Sequence, residues 1–243
     1  MKTHQAFSHA LCGLVALLVL AAPCAAQELV AGFEGGPSTG DAFFTPIFRV
    51  PLNTTNAVTL KPSASYLYYD TRGKTGQETK ISAPGASFGV GYRYTGTDVT
   101  FDIGPAFEVL WQTKRPTGKL STKETLIGVA FAADLYYQAT RFTSLNLVAT
   151  YDQPNRYYWS RATIKERVTD FEFKNSWSMS LGADVTDQGA TDVHQLSGGG
   201  LVEFDFDKGQ TALQLRGGYS WLAFADHTHD QRPYAGATLY HHF

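Results

Sequence analysis

The segment HQLS places His194 three residues before Ser197. For an imidazole to activate a serine on one strand, both must share a face, as in a His-x-Ser spacing. A separation of three sends the two side chains to opposite faces. No other histidine has a serine at the required spacing. A lipid hydrolase is therefore disfavoured, and the chain reads as non-enzymatic with no cofactor. HTHD offers His227, His229 and Asp230, an alternating imidazole pair and a carboxylate that could converge on one cation. A solvated loop is the simpler reading, and no metal is assigned. Lys114, Arg115, Lys119 and Lys123 form a basic run suited to the phosphates of lipopolysaccharide, or to solvent. Tyr68–Tyr69 and Tyr157–Tyr158 are adjacent ring pairs, so on a strand each pair sends one ring to either face.

These residues need elements to hold them, and the pattern is one of strands. Val99, Phe101, Ile103, Phe107, Val109 and Trp111 alternate with Thr100, Asp102, Gly104, Glu108 and Gln112. Ile127, Val129, Phe131, Ala133, Leu135 and Tyr137 alternate with Glu124, Gly128, Asp134 and Gln138. Trp177, Met179, Leu181, Ala183 and Val185 continue a run that begins at Phe171 and alternate with Ser176, Ser178, Ser180 and Asp184. Leu213, Leu215, Tyr219 and Trp221 alternate with Gln214, Arg216 and Ser220. Such runs exceed the roughly 5–6 residues usual for strands of soluble domains. They suit tilted membrane strands, which need about 9–11 residues to cross.

The N-terminus narrows the class. MKTHQAFSH carries one lysine and no acid, and Ala10 to Ala22 is an unbroken apolar run. That run is short of the roughly 20 residues of a spanning helix, and Cys24-Ala25-Ala26 offers a small-residue cleavage site. Residues 1–26 therefore read as a secretory signal peptide, with 27–243 as the exported domain. Cleavage removes both cysteines, Cys12 and Cys24, and leaves no disulfide to hold the fold. It removes one charged residue, Lys2, and moves the formal charge from −2 to −3. Near-neutrality argues against a nucleic-acid partner. Two classes remain, a soluble β-protein and an outer-membrane barrel.

Run length, the export signal and the C-terminal strand favour a closed up-and-down antiparallel transmembrane β-barrel. Twelve strands are predicted: 28–35, 42–50, 57–69, 81–94, 98–112, 123–138, 144–151, 156–167, 171–186, 193–206, 210–224 and 232–243. An even number returns both termini to the periplasm. The turns PLNTTN, TGTD, ATRFT, VTD and DKG then face the periplasm, and TRGKTGQETK, TKRPTGKLST and ADHTHDQ face outward. Trp111, Trp159 and Trp221 fall near the outer strand ends, where a girdle of indoles is expected. Twelve tilted strands give a backbone radius of about 12 Å. Side chains fill much of that, leaving a narrow polar bore that is either plugged by ion pairs or open as a thin passage. Tyr69, Arg93, Asp102, Glu108, Asp134, Tyr157, Tyr158 and Arg216 are the candidate binding residues of its lumen or mouth.

The last strand ends on Phe243, with Leu239, His241 and Phe243 on one face. It resembles the signal read by the outer-membrane barrel-assembly machinery, with His241 where an aromatic is usual. SYLYYDTRG, APGASFGVGYRY, FDIGPAFEVLW and TSLNLVATYDQPNRYYWSRA resemble blocks of the cellulose biosynthesis protein BcsS family. That resemblance implies a secreted outer-membrane barrel, accessory to bacterial cellulose or exopolysaccharide biosynthesis or secretion, and it implies no catalytic residues. Outer-membrane lipid, lipopolysaccharide, the assembly machinery and polysaccharide-secretion components are the expected partners. A general structural or porin-like small-solute barrel is the alternative. The expected location is the outer membrane of a Gram-negative bacterium.

Overall fold

The computed structural model describes residues 26–171 and 177–243. The described residues form twelve strands: β1 Glu28–Gly35, β2 Thr39–Pro51, β3 Asn56–Arg72, β4 Glu78–Thr95, β5 Val99–Pro116 and β6 Thr122–Gln138, then β7 Thr143–Asp152, β8 Tyr157–Phe171, β9 Trp177–Ala190, β10 Val193–Phe206, β11 Thr211–Phe224 and β12 His229–His242. Each pairs antiparallel with its chain neighbours, and β1 also pairs with β12, so the sheet closes on itself. Closure removes both sheet edges, which is what allows a β-sheet to stand in lipid.

The closing seam runs from Glu28↔His242 to Gly35↔Ala235. One further backbone bond extends it at the terminal end, and a second extends the neighbouring β11–β12 ladder. The Phe243 N–H donates to the Gln27 carbonyl at 3.0 Å, and the His242 N–H donates to the Gln210 carbonyl at 2.7 Å. His241 packs edge-on against the Phe243 ring, with centroids 4.6 Å apart. The imidazole thus occupies the position of the usual aromatic, and its Nδ1 lies 2.8 Å from the Thr211 hydroxyl.

Polarity decides the environment. Phe33, Phe88, Ile103, Phe107, Ile127, Phe131, Ile164, Val185 and Tyr219 point outward from seven strands, each at least half exposed. Thr59, Asp102, Thr163, Asp184, Thr186, Gln188, Gln195, Ser197, Glu203 and Arg216 are buried inside. A soluble barrel hides its apolar face and wets its polar one. Here the arrangement is inverted, as the hydrocarbon of a bilayer requires.

The predicted face assignments hold in β5, β6, β11 and β12, and three expectations are corrected. VTD is not a turn: β8 continues through it to Phe171, with a register shift between Arg167 and Thr169. β9 accordingly begins at Trp177 rather than Phe171, and the expected start of that strand, including Phe173 and Lys174, lies outside the described residues. Trp159 does not join an outer girdle. It shares the inner face of β8 with Arg161, whose guanidinium carbon sits 4.7 Å from the indole centroid. The strands also run further into the three long outward loops expected from the sequence, cutting them to 73–77, 117–121 and 225–228.

Removal of residues 239–243 deletes the pairs Ala31↔Leu239 through Glu28↔His242 and reopens the seam. The truncated chain should lose the folded, fast-migrating band on unheated detergent gels. Phe243→Ala, which keeps the backbone bond to Gln27, should retain that band.

Candidate functional site in the bore

Three layers of side chains cross the bore. The layer nearest the termini centres on Asp102 of β5. Lys61 of β3 donates to its Oδ1 at 2.6 Å, and Arg93 of β4 donates through Nε to its Oδ2 at 3.0 Å. Arg93 also holds the Oε1 of Glu28, 2.6 Å away on β1, and Arg49 of β2 contacts that same oxygen. Gly91 makes this layer possible, since a Cβ there would stand 2.5 Å from Thr59 Oγ1 and 2.6 Å from Asp102 Oδ1. Asp134 sits beside Asp102 in register and accepts a bond from Asn146 at 2.7 Å. Cations from three strands thus offset buried carboxylates, which would otherwise be too costly inside.

The second layer spans the bore. Arg161 of β8 bonds Glu34 of β1, although β9 to β12 separate the two strands along the wall. Arg216 of β11 reaches the same Glu34 Oε2 at 3.4 Å, and Arg161 Nε lies 3.7 Å from Asp184 Oδ2. Tyr234 donates its hydroxyl to Asp184 at 3.2 Å. Lower on the same wall, Lys165 pairs with Glu203 at 2.5 Å.

The third layer is aromatic and amide. Tyr69 of β3 and Tyr157 of β8 stack across the bore, with centroids 6.5 Å apart and planes 21° apart. The Tyr157 hydroxyl donates to Gln188 Oε1 at 2.6 Å. Residues 153–156, which join the short β7 to β8, fold inward at this level. Asn155 there accepts a bond from the buried Gln112 at 2.9 Å. Gly128 leaves room for the turn, because a Cβ there would collide with Pro154 Cγ.

A roof closes the mouth above. The tip of the β3–β4 hairpin leans across to the opposite wall, where Thr71 donates to the Asp192 carbonyl at 3.3 Å. Arg72 donates to Thr228 Oγ1 at 3.3 Å and lies 4.9 Å over the Phe224 ring. In the 225–228 loop, the Thr228 hydroxyl and amide donate to Asp226 and hold its carboxyl below the ordinary value.

Of the predicted residues, Tyr69 and Tyr157 meet directly, Arg93 and Asp102 meet directly, and Arg216 joins the central layer through Glu34. Glu108 lies apart from the ion-paired layers, beside Asp152 at the root of the inward turn. Tyr158 points outward, with its hydroxyl 3.4 Å from Asp187, and belongs to no bore layer. Lys114 turns inward and pairs with Glu124 at 2.5 Å, whereas Lys119 bonds Gln77 at 3.1 Å. Sequence reasoning missed Glu28, Glu34, Arg49 and Arg161. Parity held the signal for Arg161, since it shares a face with Tyr157, but nothing local shows which opposite wall it reaches.

Comparisons with known proteins agree with this architecture. The beta domain of the Bordetella autotransporter BrkA superposes with a TM-score of 0.53 at 12% identity, covering 90% of this chain and 100% of that one. LpxR from Salmonella typhimurium gives 0.49 at 9% identity, over 89% and 100% of the two chains. The KdgM porin gives 0.45 at 10%, over 89% and 99%. At 12% identity the BrkA likeness speaks for the fold alone. No curated protein matches the chain significantly. A family model described as cellulose biosynthesis protein BcsS matches residues 25–243.

Arg161→Ala would leave Glu34 and Asp184 short of their shared cation. Breaking a buried pair from one side costs about 3–5 kcal/mol. The loss should appear as a lowered denaturant midpoint in detergent. The double variant Arg161→Met/Glu34→Leu should recover only part of it, because Asp184 still lacks Arg161 and Arg216 then lacks Glu34. Gly128→Val should expel the 153–156 turn, read as faster amide exchange at Gln153, Asn155 and Arg156 with the β1–β12 seam unchanged.

Proposed function

Since the chain belongs to the BcsS family of cellulose biosynthesis proteins, we propose that it is a non-enzymatic outer-membrane barrel, accessory to the biosynthesis or secretion of cellulose or a related exopolysaccharide. Residues 1–26 act as the signal peptide that exports it across the inner membrane of a Gram-negative bacterium. Residues 27–243 form the barrel. The assembly machinery recognises the strand ending at Phe243.

The observation that carries the accessory role is the bridge from Arg161 to Glu34 across the bore. A glucan conduit needs a continuous wet track lined by available ring faces. Tyr69 and Tyr157 instead stack on each other, and Tyr69 is only 7% exposed. Tyr69, Arg93, Asp102, Glu108, Asp134, Tyr157 and Arg216 serve to hold the bore shut, and Tyr158 serves at the outer wall. The barrel then works by presenting its rim and outer surface to other secretion components. The same bridge argues against the porin-like reading.

Two measurements test this reading. The purified barrel in planar bilayers should show no steady single-channel steps. Deleting the chain should reduce cell-surface glucan, measured by dye binding, and reintroducing a Tyr69→Ala/Tyr157→Ala variant should restore it. Steady conductance would favour the porin-like barrel. Full glucan output without the chain would remove the accessory role.

A further inference from the structure

From the outer wall above the apolar belt, the structure assigns a binding site for a phosphorylated glycolipid head group, built by Lys80, Arg115 and Lys123. The inference rests on the outer-membrane setting and not on the glucan role.

The three side chains share one face of three adjacent strands. On β4, even-numbered residues point outward, as the exposed Phe88, Val90 and Tyr92 show. On β5 and β6 the odd-numbered ones do, as Ile103, Phe107, Ile127 and Phe131 show. Lys80, Arg115 and Lys123 therefore leave the barrel on its lipid side, and all three are exposed. Lys80 and Arg115 are direct cross-strand partners. Their Cβ atoms thus stand about 5 Å apart, a like-charge arrangement that is unfavourable by itself. Lys123 is the partner of Thr113, one outward position further down β5. Asp70 faces Lys80 from β3, and it is the one acid in this register row. None of the three cations has an ion-pair partner within 4 Å among the described residues.

What lies below fits a lipid. Trp111 follows two outward positions under Arg115, and Tyr66, 46% exposed, projects from β3 on the same wall. Val109, Phe107, Ile127 and Val129 continue the wall into the apolar belt. The order from the mouth inward is cation, amphipathic ring, aliphatic chain. A lipid with phosphates on a sugar head and acyl chains beneath presents the complementary order. Phosphate oxygens accept charge-assisted bonds from Lys and Arg, and Arg115 can offer two donors to one phosphate. The two remaining cations of the basic run Lys114–Lys123 lack this setting. Lys114 is turned inward onto Glu124, and Lys119 sits in the 117–121 connection.

The test uses the intact barrel in phosphatidylethanolamine nanodiscs doped with bisphosphorylated lipid A, with its dephosphorylated form, or with phosphatidylglycerol. Bound lipid is counted by native mass spectrometry. The Lys80→Ser/Arg115→Ser/Lys123→Ser variant should bind lipid A about a hundredfold more weakly, as three basic contacts to an anionic surface imply. Lys119→Ser should bind as the wild type does. The dephosphorylated form should be retained poorly by both, and phosphatidylglycerol should be retained less than lipid A. Equal lipid A retention by the triple variant, with its folded gel band intact, would overturn the assignment. So would equal retention of the dephosphorylated form, or a preference for phosphatidylglycerol. Lipid A retention by the wild-type barrel, together with full glucan output in cells lacking the chain, would sink the accessory role and spare this site.

Discussion

Every backbone N–H and C=O at membrane depth must find a partner within the protein, and the rest of this molecule follows from that demand. A flat sheet of these strands would leave two open edges. Pairing β1 with β12 abolishes both, and the bond from Phe243 to Gln27 carries the seam beyond the last ladder rung. Once the sheet is a cylinder, side-chain parity has no freedom left. Alternate residues meet lipid, and the remainder share a bore too narrow to be fully wet. The apolar belt and the charged interior are two outcomes of the same closure.

The bore then poses its own electrostatic problem. Carboxylates such as Glu28, Asp102 and Asp184 are almost fully buried, and each needs a cation or donor at hand. Supply comes from different strands: Lys61 and Arg93 to Asp102, Arg161 and Arg216 to Glu34. Such pairs add little net stability against apolar replacements, yet losing one partner is costly. Their effect is to fix which walls face each other. The aromatic layer and the roof add stacking, amide and cation–π contacts over this charged floor.

Much of this was legible from residues alone. Period-two alternation located all twelve strands, and the outward set of β5 and β6 came out correctly, because lipid contact imposes a strict apolar rule on one face. The turn at VTD was misread because Thr169 and Asp170 suit both a turn and a strand. Only the register shift at Arg167 to Thr169, a tertiary feature, tells them apart. Trp159 was misread for a related reason. An indole near a strand end favours the interface on average, but here a guanidinium on the same inner face holds it inside. Contacts such as Arg161 to Glu34 or Tyr69 to Tyr157 were beyond sequence reading. They depend on which walls oppose each other, and that is set by the ladder registers of the entire cylinder.

The hairpins are also unequal in how much change they can absorb. The connection at 117–121 is tied down at Thr117 and Lys119 but open at its tip, with Leu120 91% exposed and nothing within 4 Å of a Cβ at Gly118. The turn at 153–156 is wedged against Gly128 and Gln112, so additional residues there have nowhere to go. An epitope tag or a transplanted peptide displayed from this scaffold therefore belongs on the first of these connections, and the second must keep its native length.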